Sequence, residues 1–126
     1  MGQDVIYTEA IERFGELFSR AADGPSHEPA AVTLATSDPD GQPSARVVLL
    51  RQFDERGFVF FTNSRSRKGQ ELEANPQAAL CFYWDFLGEQ ISIEGKSEQV
   101  ADEESDDYWL HRPSESRIGA WASQQS

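Results

Sequence analysis

The sequence has little of several features that define common classes of protein. It contains one cysteine, Cys81, so no disulfide can form within the chain, as is typical of proteins of the reducing cytoplasm. No apolar run approaches the ~20 residues that cross a bilayer, and we expect no secretory leader. These absences predict a cytoplasmic protein without a membrane partner.

Positive charge is also scarce. The chain carries 22 acidic and 11 basic residues, for a net charge of −11. Such a surface repels nucleic acids and anionic membranes on average, so no nucleic-acid partner is expected. Five of the cations nevertheless fall between positions 46 and 68, namely Arg46, Arg51, Arg65, Arg67 and Lys68. A local basic pocket in an acidic chain favours a small anionic ligand.

Motifs for several kinds of catalysis are missing. His27 and His111 are far apart and have no cysteine or histidine at metal-ligand spacing, so no metal site is expected. The sequence contains no glycine-rich phosphate loop and no GxSxG nucleophile motif. The acidic pair Asp106 and Asp107 is expected on a solvated helix face. No side chain is therefore predicted to act as a catalytic acid, base or nucleophile.

The chain does contain a regular succession of short elements within 126 residues, the size of one domain. Ile11, Phe14 and Leu17 recur at helical spacing and predict a helix over 7–22, with Thr8 as its cap. Residues 1–30 are interpreted as this N-terminal helix and a linker. Five strands are predicted, at 31–37, 45–50, 58–62, 78–84 and 89–100.

Further helices are predicted at 64–75, 102–110 and 114–121, and His111 is interpreted as an exposed residue at a helix end. Short turns between dense strands predict a mainly antiparallel β-barrel with peripheral α-helices. We expect one domain over 1–126, with a barrel core at 31–100 and C-terminal helices at 101–126.

The segment 64–69, Ser-Arg-Ser-Arg-Lys-Gly, lies between the third strand and a helix. A helix N-terminus offers free N–H groups and positive dipole charge, and serine, arginine and lysine side chains add contacts suited to a phosphate monoester. A solvated, basic first turn of helix explains the local sequence equally well.

Arg46 and Arg51 flank an apolar run that is predicted to be a strand buried on both faces. The backbone of such a strand could meet the edge of a flat heterocycle, although ordinary barrel core explains the run as well. Gln90, early in the fifth strand, could bind a polar ring edge or simply be exposed.

These segments occur in one order along the chain. The order is Arg46 to Arg51, Phe60-Phe61-Thr62-Asn63, Ser66-Arg67-Lys68-Gly69, Asn75-Pro76, Phe82-Tyr83-Trp84, Gln90, Glu94-Gly95, Tyr108 with Arg112-Pro113, Ile118-Gly119-Ala120-Trp121 and Gln125-Ser126. The series resembles the pyridoxamine 5′-phosphate oxidase family, whose fold is an FMN-binding split barrel of Greek-key type. The resemblance covers residues 31–126.

The resemblance implies FMN as the cofactor, held at the interface of a homodimer. Phe61 and Thr62 match a flavin-contacting pair, and Gln90 matches a contact to the ring. Gln125 and Ser126 match residues that reach FMN from the neighbouring subunit. The strand that lines the ring and phosphate corresponds to Arg46, Val47, Val48, Leu49, Leu50 and Arg51, and the phosphate clamp to Ser66, Arg67 and Lys68.

The implied reaction is oxidation of pyridoxamine or pyridoxine 5′-phosphate to pyridoxal 5′-phosphate, with O₂ as acceptor and H₂O₂ as product. Tyr108, Arg112 and Ser116 match residues that hold the substrate phosphate, and Arg51 replaces a substrate-contacting lysine. Leu110 stands where the family has histidine. Family members continue past the Gln-Ser pair with a segment that is missing here.

Two alternatives therefore stay open, namely an FMN-binding protein without oxidase turnover and a flavin reductase for another substrate. An aromatic surface at Phe82-Tyr83-Trp84, Trp109 and Trp121 is also predicted to be exposed, and covering it would favour a dimer.

Overall fold

The structure, a computed structural model, describes residues 2–25, 28–62, 71, 72, 74–100 and 108–122, with side chains described outside 2–7 and 115–122. Over these residues the backbone forms one long helix, six strands and a 3₁₀ turn. The elements are α1 (Gly2–Asp23), β1 (Ala31–Ser37), β2 (Pro43–Asp54), β3 (Gly57–Phe61), β4 (Gln77–Trp84), the 3₁₀ turn (Asp85–Leu87), β5 (Glu89–Gln99) and β6 (Tyr108–Ala122).

The six strands close into an antiparallel barrel in the order β1-β2-β3-β6-β5-β4. Each strand therefore has a neighbour on both sides, and closure removes the exposed edges that an open sheet would present. The predicted mainly β fold, an antiparallel barrel with helix outside it, is confirmed. No helix within the described residues has the length and apolar character needed to span a membrane.

Helix α1 packs one apolar face against the barrel. Phe14, Leu17 and Ala21 are almost completely buried, as their spacing of three and four residues predicts. The Phe14 ring lies 4.8 Å from the Phe53 ring and 4.9 Å from the Phe58 ring, between centroids. Both contacts are edge-on, the geometry that aromatic pairs prefer, so the helix adds its rings to the barrel core.

Two tight turns set the register of β2 against its neighbours. Between β1 and β2, Asp38 Oδ1 accepts hydrogen bonds from the N–H groups of Asp40 and Gln42, and Gly41 has φ of 90°. Between β2 and β3, Gly57 has φ of 145°, and a Cβ there would lie 2.2 Å from the backbone oxygen of His111. Glycine is needed at both positions. The predicted turns are confirmed.

Alternation along the strands forms the core. Leu34 on β1, Phe82 on β4 and Ile93 on β5 are fully buried. The residues immediately before and after each of them are half-buried or exposed. Ile91 and Ile93 share one face of β5, and both are buried. Each such side chain contributes about 1.5–3 kcal/mol by leaving water.

The prediction that residues 45–50 are buried on both faces is wrong. Val48 and Leu50 face the core, at 5% and 8% exposed, but Val47 and Leu49 are 61% and 51% exposed. Successive side chains of a strand point to opposite faces, and this wall of the barrel is covered only on its inner side. An apolar run alone does not distinguish one covered face from two.

The predicted C-terminal helices at 102–110 and 114–121 are wrong wherever the structure describes them. Residues 108–122 form strand β6, which pairs with β3 from Tyr108 to His111 and with β5 from Trp109 to Pro113 and from Ile118 to Ala122. Long-range pairing to two strands outweighs local helix signals here, and the aromatic residues at 108 and 109 favour extended structure. The division of 101–126 into helices is therefore wrong at 108–122.

His111 is also not the exposed helix-end residue that the sequence predicted. It is fully buried on β6, where Nδ1 lies 2.9 Å from the Ser97 hydroxyl and Nε2 lies 3.0 Å from the Ile93 carbonyl oxygen. Burial lowers the pKa of His111 to about 4, because the charged imidazolium loses its hydration. The ring is therefore neutral near pH 7.

The predicted aromatic surface is exposed at one position among the four whose side chains are described. Tyr83 is 66% exposed, whereas Phe82, Trp84 and Trp109 are buried. The Trp84 indole donates a hydrogen bond to the Pro29 carbonyl oxygen at 3.1 Å. The side chain of Trp121 lies outside the described residues. Strand alternation explains the difference, because adjacent residues of β4 point to opposite faces.

The helix predicted at 64–75 is described only near its end. Glu71, Leu72 and Ala74 are helical, and the Asn75 N–H donates to the Glu71 carbonyl oxygen at 2.7 Å. Leu72 is 1% exposed and belongs to the barrel core. The rest of the predicted helix lies outside the described residues.

Candidate functional site

Exposed apolar side chains concentrate on the outer wall of the barrel where β2 and β3 meet. Leu49 lies directly opposite Phe61, and Val47 precedes Leu49 on the same side of β2. All three are roughly half exposed or more. We call Val47, Leu49 and Phe61 the outer β2–β3 face. An apolar patch of this kind marks a binding surface more often than a random surface does.

Strand β2 extends beyond the end of β3 at this face. The pairing of the two strands covers Leu49 to Asp54 on β2 and ends at Phe61 on β3. Residues 43–48 of β2 pair with β1 on one side, and no described strand pairs with them on the other. Backbone N–H and C=O groups on that side are available to a ligand or to the following chain segment.

Thr62 lies at this edge, immediately after Phe61. The residue is 2% exposed, and its hydroxyl oxygen has no hydrogen-bond partner among the residues that the structure describes. A buried hydroxyl left without a partner costs about 1–3 kcal/mol. The arrangement therefore favours a polar ligand group at this point.

Arg51 and Tyr108 form a basic corner beside the outer β2–β3 face. A register shift between Leu50 and Gln52 places Arg51 in a bulge of β2. The guanidinium carbon of Arg51 lies 5.3 Å from the centroid of the Tyr108 ring, and that ring meets the Phe61 ring edge-on at 5.4 Å. Bulges redirect side chains in this way. The structure thus brings two predicted substrate residues next to a predicted cofactor residue.

The other predicted substrate residues lie farther along β6. Four residues of extended strand place the Cα atoms of Tyr108 and Arg112 about 13 Å apart, whereas a helix would bring them close together. Arg112 Nη2 forms an ion pair with Glu98 Oε1 at 2.7 Å. Ser116 lies on β6, and its side chain is outside the described set.

Some predicted cofactor residues are placed elsewhere. The side chains of Val48 and Leu50 point into the core, so only their backbone can meet a ligand. Arg46 is exposed on β2. Gln90 is exposed on β5, which is three strands away from β2 in either direction around the barrel. Three strand spacings amount to about 14 Å, so one chain does not bring Gln90 to the outer β2–β3 face.

The predicted phosphate clamp, Ser66, Arg67 and Lys68, lies outside the described residues, as do Gln125 and Ser126. Chain length constrains the clamp. Ser66 follows Thr62 by four positions, and an extended chain spans at most about 14 Å over that interval. The clamp stays a prediction, and this upper limit is compatible with a ligand at the outer β2–β3 face.

A broad groove of about 700 Å³ follows the outer wall of β1, β4 and β5. Small and polar side chains predominate along it, including Ala35, Ser37, Gln77, Ala79, Ser92 and Glu94. Sequence reasoning missed this surface. The signal that could have found it is the run of small residues at alternate positions of three predicted strands, all of which face outward.

Comparison with known proteins identifies a family for this chain. The family model for pyridoxamine 5′-phosphate oxidase matches residues 19–126. A pyridoxine/pyridoxamine 5′-phosphate oxidase from Trichormus variabilis is 57% identical over 121 residues, which cover 96% of this chain and 56% of that protein. The chain therefore spans little more than half the length of this curated relative.

Solved structures share the fold. PhzG from Burkholderia lata 383, in complex with tetrahydrophenazine-1-carboxylic acid, superposes with a TM-score of 0.77 at 23% identity, over 90% of this chain and 79% of that one. A pyridoxamine 5′-phosphate oxidase-related, FMN binding protein from Nostoc punctiforme superposes with a TM-score of 0.52 at 30% identity. The superposition covers 61% of this chain and 42% of that one.

The closed antiparallel barrel identifies a split-barrel protein, and the exposed apolar face beside a buried hydroxyl is its candidate site. The family match extends over most of the sequence. The chain belongs to the pyridoxamine 5′-phosphate oxidase family.

Proposed function

We propose that this chain binds FMN and oxidises pyridoxamine or pyridoxine 5′-phosphate to pyridoxal 5′-phosphate, with O₂ as acceptor and H₂O₂ as product. The observation that carries the proposal is the exposed Phe61 ring next to the buried, unpartnered Thr62 hydroxyl, at the place where β2 extends past β3. Family membership supplies the substrate class.

The residues present fit a flavin. Val47, Leu49 and Phe61 provide an apolar surface for a flat ring, and the open side of β2 provides backbone groups for its polar edge. The Thr62 hydroxyl can pair with a ring heteroatom or a ribityl oxygen. FMN, when bound, supplies the acceptor for two electrons and the reactivity toward O₂.

Cationic side chains would hold the phosphate of FMN. We assign the FMN phosphate to Ser66, Arg67 and Lys68, with Arg46 as a further cation. Forked guanidinium groups and an ammonium suit a phosphate dianion, and the permanent charge of arginine needs no titration to act.

Arg51 and Tyr108 would orient the substrate. The Tyr108 ring supports the guanidinium of Arg51, so the cation is already placed before the substrate phosphate arrives. A fixed positive charge there also stabilises negative charge that develops during electron transfer. Arg112 and Ser116 are further proposed contacts, and the Arg112 guanidinium must exchange Glu98 for the phosphate.

The proposed assembly is a homodimer with FMN at the interface. The groove on β1, β4 and β5 and the exposed Tyr83 form a broad outer surface that continues around β1 to the outer β2–β3 face. A second copy covering this surface could supply Gln90, Gln125 and Ser126 to a flavin that a single chain does not surround. The proposed location is the cytoplasm, in keeping with the single cysteine.

The interface has its own test. Ala79 lines the groove, so Ala79→Arg places a long cation where a second copy would pack. Light scattering after size-exclusion chromatography should give a dimer for the wild type and a monomer for the variant. A wild type that is monomeric with FMN bound would contradict the dimer.

The function is tested by reconstitution and turnover. Apoprotein mixed with FMN should turn yellow, release FMN on denaturation, and convert pyridoxamine 5′-phosphate to pyridoxal 5′-phosphate with equimolar H₂O₂. Failure to bind FMN would contradict the whole proposal. Tight FMN binding without product would leave a flavin-binding protein without turnover, and NADH-dependent reduction of free flavin would favour the reductase.

A further inference from the structure

A buried carboxylate ties the helical residues 71 and 72 to the barrel wall. Glu71 is 6% exposed, and its Oε2 accepts hydrogen bonds from the hydroxyls of Thr36 on β1 and Ser44 on β2, the latter at 2.7 Å. Thr36 and Ser44 lie opposite each other in the β1–β2 pairing, and their hydroxyl oxygens are 3.4 Å apart. One carboxylate oxygen therefore bridges two strands.

Packing alone does not require a carboxylate at this position. The next residue, Leu72, is 1% exposed and already anchors the helix in the apolar core. Apolar contacts are non-directional, whereas hydrogen bonds to a carboxylate fix distance and angle. A buried charge is also costly unless it is hydrogen-bonded, and the hydroxyls of Thr36 and Ser44 are among the donors that stabilise Glu71 at this position.

Both ends of this bridge lie close in sequence to predicted phosphate-binding residues. Glu71 follows Lys68 by three residues, an interval that spans at most about 11 Å of chain. Ser44 precedes Arg46 by two residues on β2. The carboxylate thus links strand β2, which carries Arg46, to the helical residues that follow the predicted clamp in sequence.

We propose that Glu71 is a positioning residue for phosphate recognition. Through its bonds to Thr36 and Ser44 it holds the helical residues 71 and 72 against the strand that carries Arg46, and the affinity for the phosphate of FMN depends on this link without a contact between Glu71 and the cofactor. The inference rests on the proposed function, because it needs FMN as the ligand.

The test compares FMN with riboflavin, which lacks the phosphate. Full-length apoprotein is titrated with each flavin, and binding is followed by flavin fluorescence. Glu71→Ala should lower the affinity for FMN about tenfold and the affinity for riboflavin less than about twofold, since the lost hydrogen bonds act through the phosphate clamp. Glu71→Gln should restore FMN binding to within about threefold, because an amide oxygen can accept both hydroxyl donors.

Matched controls separate positioning from general damage. Glu55 is an exposed glutamate in the β2–β3 turn, so Glu55→Ala removes the same charge and should leave both affinities unchanged. Ser44→Ala removes one donor while the core stays intact, and should weaken FMN alone by about threefold. This variant decides the question if Glu71→Ala does not fold.

The two levels of the proposal fail in different ways. A wild type that binds FMN no better than riboflavin would overturn the phosphate clamp itself. A wild type that prefers FMN, with the same preference retained in Glu71→Ala or in Ser44→Ala, would overturn the positioning role and leave the proposed function standing. Loss of thermal stability without a change in preference has the same meaning.

Discussion

The two faces of the β2–β3 wall carry the same kinds of side chain in opposite surroundings. Phe60 is fully buried, whereas its neighbour Phe61 is 45% exposed. Leu50 points into the core, and Leu49 points out of the barrel. The inner set holds the barrel together by leaving water, while the outer set remains about half exposed to water in the fold of one chain. One apolar sequence run thus encodes both a core and an exposed apolar surface.

The polar groups of His111 and Thr62 differ in a similar way. His111, inside the barrel, has a partner within 3.0 Å at each ring nitrogen. Thr62, at the edge of the outer β2–β3 face, has none among the described residues. Satisfied buried groups stabilise the fold, and an unsatisfied one at an exposed apolar face indicates a ligand position.

The largest effect on stability is expected from truncating a large side chain on the inner face of the wall. Phe60→Ala should lower the free energy of unfolding by about 3–5 kcal/mol, because it removes transfer energy and leaves a cavity in a fully packed core. Urea denaturation followed by tryptophan fluorescence measures the change. A loss below about 1 kcal/mol would show that the inner and outer faces do not differ as described.

The next largest effect on stability is expected from acid, which acts on the buried His111. The pKa of His111 falls from its ordinary 6.5 to about 4 on folding, because of burial. Between these two values the unfolded chain binds the proton and the folded chain does not, so this stabilisation is complete above pH 6.5 and is lost as the pH falls toward 4. The free energy of unfolding should drop by about 3 kcal/mol over that range.

A variant separates the contribution of His111 to the pH dependence of stability from that of carboxylates, which also gain protons as the pH falls. His111→Gln keeps hydrogen-bonding groups in the site but has no proton to gain, so its stability should fall less steeply between pH 6.5 and 4. Equal slopes for the two proteins, measured by urea denaturation at each pH, would show that His111 is not responsible.

The smallest effect is expected on the outer side of β5 and β6. Glu98 and Arg112 form a close ion pair, but their side chains are 58% and 55% exposed. Exposed pairs contribute little, so Glu98→Gln should change the free energy of unfolding by less than about 0.5 kcal/mol. A loss above about 1 kcal/mol at moderate salt would mean that this surface pair supports the fold.

Much of the fold could be predicted where local pattern and turn chemistry agree. Strand β1 was predicted to the residue, and β4 and β5 to within one. Strand β6 could not be predicted, because its pairing with β3 and β5 depends on contacts far away in sequence. The acidic residues before Tyr108 gave a local helix signal, which those contacts override at 108–110.

The candidate site was predictable in part. Phe61, Thr62, Arg51 and Tyr108 were all named from the order of motifs, and the structure places them around one edge. The exposure of Val47 and Leu49 was missed, because a continuous apolar run does not reveal which face remains uncovered. The Glu71 bridge depends on the β1–β2 register, which no local pattern specifies.

The most direct test of the account is the dissociation constant of FMN for Phe61→Ala. Loss of one aromatic contact should weaken FMN about tenfold while the free energy of unfolding changes by less than about 1 kcal/mol. Phe86→Ala, at an exposed phenylalanine of the 3₁₀ turn, should leave FMN binding unchanged. Unaltered FMN affinity in folded Phe61→Ala would contradict the claim that the outer β2–β3 face binds the flavin.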